Sequence, residues 1–494
     1  MRTTYVRTHC TVRPRKVIGQ TGSYLERAND RIWEEPLNVF ANSDFPEKDS
    51  KDDIIRVYIT NLPRESKALL RAAGIDSPEI SERSDSTFNY ASFLQRIELQ
   101  GLYEVITSWI IGSKCYVSRR YSETQERRLL LFRELCKLFV SQSPNLKFSI
   151  ILDVIKRDEF FHFQQLSDII PSNSILEKLV GHTGHVREIY GSIGKTFSEI
   201  KNMNISCDVY DNMGLASLID QMRENTWSLI ISGTPGLSIT ESLKRKTHLL
   251  TSLEITSDEP FPEIFVKCQL LKTLIIHEAH ESRVYPSILE AFANTSFIQL
   301  TEFCFYSEHP VKTSFISNII RNTRKTIKSL RIITLYKEVL FTDPENFPLL
   351  LSFIPSDCPH LRELHIPFTK TTLDLMYNIF RVCNMLKIVI LDWYDDPIEP
   401  QSEFFNWAEN LGKSIPLSLI SLRVKGCMGF NVEATDRLLD LCFRRKIKSL
   451  KLTIDDWTFS EYFGELIEVI DKYILQGTLH ANSRLTLRRG FNVM

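Results

Sequence analysis

Residues 419–439 read LISLRVKGCMGFNVEATDRLL. Leu419, Leu422 and Val424 fall in the spacing L-x-x-L-x-V, Gly426-Cys427 follow, and Thr435-Asp436 lead an apolar stretch through Leu438. This is the pattern of a short strand, a cysteine and a capped helix. One such unit cannot bury its apolar side alone, so neighbours of the same kind must stack on it.

The neighbours are present. The spacing recurs as Leu250-Leu253-Ile255, Leu271-Leu274-Ile276, Leu300-Phe303-Phe305 and Ile327-Leu330-Ile332. It continues as Leu361-Leu364-Ile366, Leu386-Val389-Leu391 and Ile447-Leu450-Leu452, with starts 21 to 34 residues apart. Leucine-rich repeats have a period of roughly 20–29 residues, so the longer gaps imply inserted loops or longer helices. Weaker copies lie upstream at Ile200-Met203-Ile205, Trp227-Ile230 and Leu176-Leu179. Amphipathic segments such as TSFISNIIRNT and TLDLMYNIFRVC separate the strands. The expected fold is therefore α/β: a leucine-rich-repeat solenoid of short parallel strands plus helices, preceded by a helical N-terminal segment. Armadillo-type helical repeats compete, but they lack an extended unit rich in β-branched residues. Cys268, Cys358 and Cys383 each stand three residues before the first leucine of a repeat, where a small buried residue suits the return from helix to strand.

Upstream, residues 1–40 read as a poorly ordered tail and residues 41–53 as a polar linker. Residues 54–145 read as a helical segment and residues 146–494 as the repeat domain. Ile54, Ile55, Tyr58, Ile59 and Leu62 make one helical stripe. In FNYASFLQRIELQGLYEVITSWII, one helical face is expected to hold Phe93, Leu94, Ile97, Leu102, Val105, Ile106, Trp109 and Ile110.

With 60 basic and 61 acidic residues, no global field attracts nucleic acid or anionic lipid. No apolar run approaches the roughly 18 residues of a membrane helix, so no membrane partner is expected. The ten cysteines include no C-x-x-C pair, which indicates neither a metal nor a disulfide framework and fits the cytosol or nucleus. No cofactor is expected. GSIGKT (residues 191–196) lacks the phosphate-loop glycine five residues before Gly194, where Ile189 stands. GHTGH offers His182 and His185 without a third ligand. Asp392, Asp395, Asp396 and Glu399 beside Trp393 and Tyr394 read as a solvated loop, echoed at Asp455-Asp456-Trp457. No Gly-x-Ser-x-Gly elbow occurs, and no catalytic residue is assigned.

Strand side chains alternate, so residues between the buried ones should form columns on a concave face. The central column is expected to run Glu254, Ile275, Cys304, Arg331, His365, Ile390, Arg423 and Lys451. The column before it runs Ser252, Thr273, Glu302, Ser329, Glu363, Ile388, Ser421 and Ser449. Arg331, His365, Arg423 and Lys451, with Glu302 and Glu363 beside them, are the candidate partner-binding residues. A basic strip there would receive an acidic or phosphorylated peptide. An ordinary solvated polar face is the alternative.

The order of RIWEEPLNVF, IIRVYITNLPRESKALLRAAGI, STFNYASFLQRIELQGLYEVITSWI and RLLLFRELCKLFVSQSPNLKF ahead of the repeats resembles the fungal F-box/leucine-rich-repeat family. That resemblance implies an N-terminal F-box gripping the Skp adaptor of a cullin ubiquitin ligase, with the repeats holding a protein substrate. Ile32 and Trp33 match the end of such a box. The Leu-Pro that usually opens it is absent, and residues 1–30 hold one leucine, Leu25. The box is thus degenerate or truncated. The alternative is a stand-alone interaction protein without a ligase link, monomeric outside any complex in either case.

Overall fold

A computed structural model of the chain describes residues 48–75, 77–80, 89–112, 121–152, 167–171, 174–185, 187–207, 211–223, 226–256, 267–278, 295–307, 313–323, 325–334, 346–393, 401–426, 431–455 and 463–485. They fall into two compact units, Met1–Ser149 with Asp168–Ile170, and Ile150–Ser167 with Pro171–Met494.

The first unit is mainly helical: α1 (Lys48–Thr60), α2 (Arg64–Ala72), α3 (Leu99–Gly112) and α4 (Tyr121–Gln142). Ile55, Tyr58, Leu102, Ile106, Leu135 and Phe139 are buried, and the Tyr58 ring meets Phe139 edge-on at 4.9 Å. Helix α2 stops at Gly74, whose φ of +75° lies in the left-handed region that glycine adopts without a steric penalty. There the Ile75 N–H reaches the Leu70 carbonyl and the Gly74 N–H the Arg71 carbonyl, closing the helix end.

Two expectations are corrected in this unit. Helix α1 begins at Lys48, inside the supposed linker. The single helical face through Phe93 and Ile97 does not form either. A 3-10 turn at Tyr90–Phe93 leads instead into strand β1 (Arg96–Glu98), so Ile97 is a strand residue and Phe93 stays exposed. The reason is local: the Glu98 carboxylate accepts the N–H groups of Gln100 at 2.9 Å and Gly101 at 2.6 Å and thereby starts α3. Strand β1 pairs in parallel with Lys147, Phe148 and Ser149 of β2 (Lys147–Ile151).

The second unit is a leucine-rich-repeat solenoid. Its strands are β3 (Ile175–His182), β4 (Glu199–Cys207), β5 (Trp227–Gly233) and β6 (Leu250–Thr256). Next come β7 (Thr273–Glu278), β8 (Glu302–Ser307), β9 (Ser329–Thr334) and β10 (Glu363–Phe368). Then follow β11 (Ile388–Trp393), β12 (Ser421–Lys425), β13 (Lys451–Asp455) and β14 (Arg484–Leu485). Each strand pairs in parallel with the next in sequence. Helices fill the connections: α5 (Arg187–Thr196), α6 (Met213–Gln221), α7 (Leu237–Lys246), α8 (Thr313–Arg321) and α9 (Phe347–Asp357). They continue as α10 (Leu373–Val382), α11 (Gln401–Ser414), α12 (Val432–Arg444) and α13 (Phe463–Leu475).

The register explains the sequence spacing. Leu253, Leu274, Phe303, Leu330, Leu364, Val389, Leu422 and Leu452 lie side by side in one buried row. Ile255, Ile276, Phe305, Ile332, Ile366, Leu391, Val424 and Ile454 are buried two residues further on. Cys268, Cys358 and Cys383 are fully buried. Burial pushes the thiol of Cys268 up to about 12 and that of Cys383 up to about 11, which leaves both as packing groups. Cys427 lies outside the described residues.

Three strand and helix assignments shift. In β13, Leu452 and not Leu450 stands opposite Leu422, because the chain entering the strand takes two more residues. Lys446 and Ser449 turn it there through positive φ values of 61° and 55°. In β5 the register shifts between Trp227 and Ser228, so Leu229 and Ile231 are buried and Ile230 lies on the other face. Helix α12 opens at Val432, one turn before Thr435-Asp436. Its cap is Asn431, whose side-chain oxygen accepts the Ala434 N–H at 2.7 Å.

Candidate functional site

The strands present rows of side chains on the face opposite the buried rows, with strands about 4.8 Å apart. Glu254, Ile275, Cys304, Arg331, His365, Ile390 and Arg423 share one row, as the spacing predicts. Lys451 does not join them. The offset in β13 places it opposite Ser421, in the row of Glu302 and Glu363, and puts Thr453 opposite Arg423.

The expected strip of open positive charge is not what the geometry builds. Arg331 donates from Nε to Glu363 Oε1 at 3.1 Å and from Nη2 to Oε2 at 2.9 Å, a two-pronged pair across β9 and β10. Ser329 Oγ adds a hydrogen bond of 3.0 Å to Glu363 Oε2. Partial burial pulls the Glu363 carboxyl up, but the Arg331 hydrogen bond and charge, with Ser329, hold it below the ordinary carboxylate range.

His365 follows the same rule. Its Nε2 lies 2.8 Å from Asp392 Oδ2 on β11, and both side chains are buried. Lys425 on β12 approaches Asp392 Oδ1 to 3.1 Å and His365 Nε2 to 3.4 Å. One ring nitrogen cannot donate to the carboxylate and accept from the ammonium at once, so the shorter contact takes the proton. Burial opposes the charge on Asp392, yet His365 and Lys425 together hold its carboxyl below the usual range. Asp392 is thus a buried strand residue and not part of a solvated loop; Asp395, Asp396, Glu399, Asp456 and Trp457 lie outside the described residues.

Arg423 completes the series: Nε donates to Asp455 Oδ2 at 2.8 Å, and Nη2 donates to the same oxygen of this buried carboxylate. Lys451 is exposed and has no partner among the described residues. Glu302 is exposed and accepts a long hydrogen bond of 3.4 Å from Thr273 Oγ1. In the Arg331, His365 and Arg423 pairs a side chain on one strand reaches an acid on the next, because the strand spacing matches the reach of an Arg or His. Lys425 reaches back to Asp392.

The sequence reading missed an aromatic element. His277 on β7 places Nε2 3.0 Å from Glu254 Oε1 and stacks on Tyr306 of β8, with ring centroids 4.5 Å apart and planes 2° from parallel. Tyr306 lies two residues beyond Cys304, which stands opposite Arg331 on β9. Both rings stand two residues after the central row, on the same face, and the period-two rule that gave that row finds them as well.

The motifs set aside fold as ordinary elements. GSIGKT lies on helix α5, where a side chain at Gly194 would meet Gln221 and Leu218, and no phosphate-binding turn forms. The His182 and His185 rings meet edge-on with centroids 5.8 Å apart. Among the described residues, no group of three or more His, Cys, Asp or Glu is arranged to hold a metal ion. No described helix is long and apolar enough to cross a membrane. Ile32 and Trp33 lie outside the described residues.

No family model matches the chain, and no curated protein matches it. Among solved structures, it is similar to the yeast complex of Rad7 and Elc1, at 14% identity and a TM-score of 0.37. That likeness covers 80% of this chain and 91% of the other. A likeness of this size adds nothing to the repeat architecture already evident in the strand register.

Proposed function

We propose that the chain is a protein-binding repeat scaffold, and more specifically an F-box-type substrate receptor of a Skp–cullin ubiquitin ligase that holds its substrate on the exposed sheet face. The observation that carries the scaffold reading is the series of cross-strand pairs from Glu254 to Asp455. They fix long side chains that would otherwise lose rotamer freedom on binding, so the face meets a partner already ordered. Tyr and Arg, the residue types that dominate binding hot spots, occur on the adjacent strands β8 and β9 at Tyr306 and Arg331. Binding and not catalysis is the role proposed: the cysteines of the face and core are buried thiols, Cys304 pushed up to about 11 by burial. The ligase assignment rests on the resemblance of residues 31–145 and the repeats to the F-box family, with Ile32 and Trp33 as the box remnant. The proposed compartment is the cytosol or nucleus.

The test is co-purification of the tagged full-length chain with the Skp adaptor and cullin. Recovery of both, and their loss on Trp33→Ala, supports the receptor reading. Absence of both from a folded chain leaves a stand-alone interaction protein.

A further inference from the structure

The turns that lead into the strands carry a charge pattern that the sheet face does not. They read KCQLLK (267–272), IQLT (298–301), KTIK (325–328), PHLR (359–362), NMLK (384–387), PLSLI (416–420) and RKIKS (445–449), without one Asp or Glu. Lys272, Lys328, Arg362, Lys387 and Lys448 are all exposed there, and none has an ion-pair partner among the described residues. Backbone hydrogen bonds set four of these positions in one line. Lys272 bonds to Thr251, Thr301 to Lys272, Lys328 to Thr301, Arg362 to Lys328 and Lys387 to Arg362, at 2.7–2.8 Å. Three of the cations, Lys328, Arg362 and Lys387, therefore stand on consecutive strands about 4.8 Å apart.

Helix dipoles do not account for the row. A cation gains from a helix C-terminus only within the last turn. Arg362 and Lys387 lie beyond that reach, since α9 ends at Asp357 and α10 at Val382. The arginines of the sheet face are paired with acids on the next strand, whereas this row has no ion-pair partner among the described residues. It also has an apolar end. Ile388, Leu417 and Ile420 are 39%, 69% and 55% exposed. Ile388 follows Lys387, and the Ile420 N–H bonds to the Lys387 carbonyl. Leu417 precedes Ser418, whose hydroxyl bonds to the Leu386 carbonyl.

We propose that this strand-entry edge is the docking site for a protein segment of mixed acidic and aliphatic side chains, its carboxylates on Lys328, Arg362 and Lys387 and its apolar residues on Ile388, Leu417 and Ile420. The proposal rests on the scaffold reading and names the chemistry of its partner. A nucleic acid would use the cations but not the aliphatic end, and single strands bind by stacking on aromatic rings. The seven turns hold no Phe, Tyr or Trp.

The test is fluorescence anisotropy on the full-length chain with a labelled peptide of repeated Asp-Glu-Leu units. A Lys-Lys-Leu peptide, a single-stranded RNA homopolymer and phosphatidylserine vesicles serve as comparison probes. The expected result is binding of the acidic peptide alone, weakened at least roughly tenfold by the triple Lys328→Glu, Arg362→Glu, Lys387→Glu variant. The charge-retaining triple Lys328→Arg, Arg362→Lys, Lys387→Arg should bind as the parent does. Ile388→Ser with Ile420→Ser should weaken binding without changing its salt dependence. If the reversal triple does not fold, loss of parent binding as salt rises replaces it. Peptide binding that the reversal leaves unchanged overturns the edge while the exposed-face reading stands. Equal or tighter binding of RNA or vesicles, lost in the same triple, overturns the peptide assignment. Neither outcome depends on whether the Skp adaptor co-purifies.

Discussion

Two parts of the exposed sheet face share one core design and differ in how their polar groups are held. On β4 and β5 the face carries Asn202, Asn204, Ser206, Ser228 and Ser232. Polar side chains in this part are tied to backbone: Asn202 to the Glu177 carbonyl at 2.8 Å and Ser232 to the Ile205 carbonyl at 3.5 Å. From β6 onward the links run from side chain to side chain across strands, as Glu254–His277, Arg331–Glu363, His365–Asp392 and Arg423–Asp455. A bond to a carbonyl is indifferent to the identity of the neighbouring repeat. A bond to a carboxylate specifies it. The buried rows are alike in both parts, so the face varies without disturbing what holds the array together.

The largest effect should come from the shared core and should be equal in the two parts. Leu229→Ala and Leu364→Ala each remove a fully buried strand leucine. Each is expected to cost about 3 kcal/mol in urea unfolding. A difference of more than about 1.5 kcal/mol between them would show that the cores are not equivalent.

A smaller effect should separate the two parts. Arg423→Ala leaves the Asp455 carboxylate buried without its cation, with Arg423 itself 34% exposed. The expected loss is about 2 kcal/mol, below that for a fully enclosed pair because solvent screens the guanidinium. Asn202→Ala, at an exposed amide, should stay within about 0.5 kcal/mol. Matching losses would erase the contrast.

The smallest effect depends on pH. Glu363 and Asp392 have folded pKa values below the ordinary carboxylate range. Their contribution is therefore complete above the unfolded value of about 4 and is lost as pH falls through the lower folded values. Native-state hydrogen exchange should show β9–β11 losing protection on acidification below about pH 4, while β5, WSLIISG, which has no ionisable side chain, keeps its own. Glu363→Gln with Asp392→Asn should remove that acid sensitivity. Retained sensitivity in the double variant would place its origin elsewhere.

The buried rows were legible because L-x-x-L-x-I repeats period two at a spacing that only stacked strands satisfy. The column of exposed residues followed as far as Arg423. It failed at Lys451, since Ile447-Leu450-Leu452 fits the same pattern two residues out of phase, and the positive φ at Ser449 that settles the matter has no glycine to announce it. Strand β1 was hidden inside an apolar run that fits a helix equally well, and what decides is the hydrogen bonding of Glu98 to the start of α3. The pairing of Arg331, His365 and Arg423 needed the strand register. Each acid lies 27 to 32 residues away in the chain, and sequence proximity gives no sign of it.

The cross-strand ion pairs also bear on how such an array changes length. The Glu254–His277, Arg331–Glu363, His365–Asp392 and Arg423–Asp455 pairs run from one strand to the next, and Lys425 reaches back from β12 to Asp392 on β11. Excising the repeat that begins at Leu361 would set Arg331 beside Ile390, remove Glu363, and leave Asp392 without His365. Excising β10 thus strands charges on both sides of the junction, whereas β8 carries none of these pairs. At the first end the Arg245–Asp220 pair joins α7 to α6 on the helical side. The electrostatic cost of losing a repeat therefore depends on which junction closes, and it is largest where a strand holds partners on both sides.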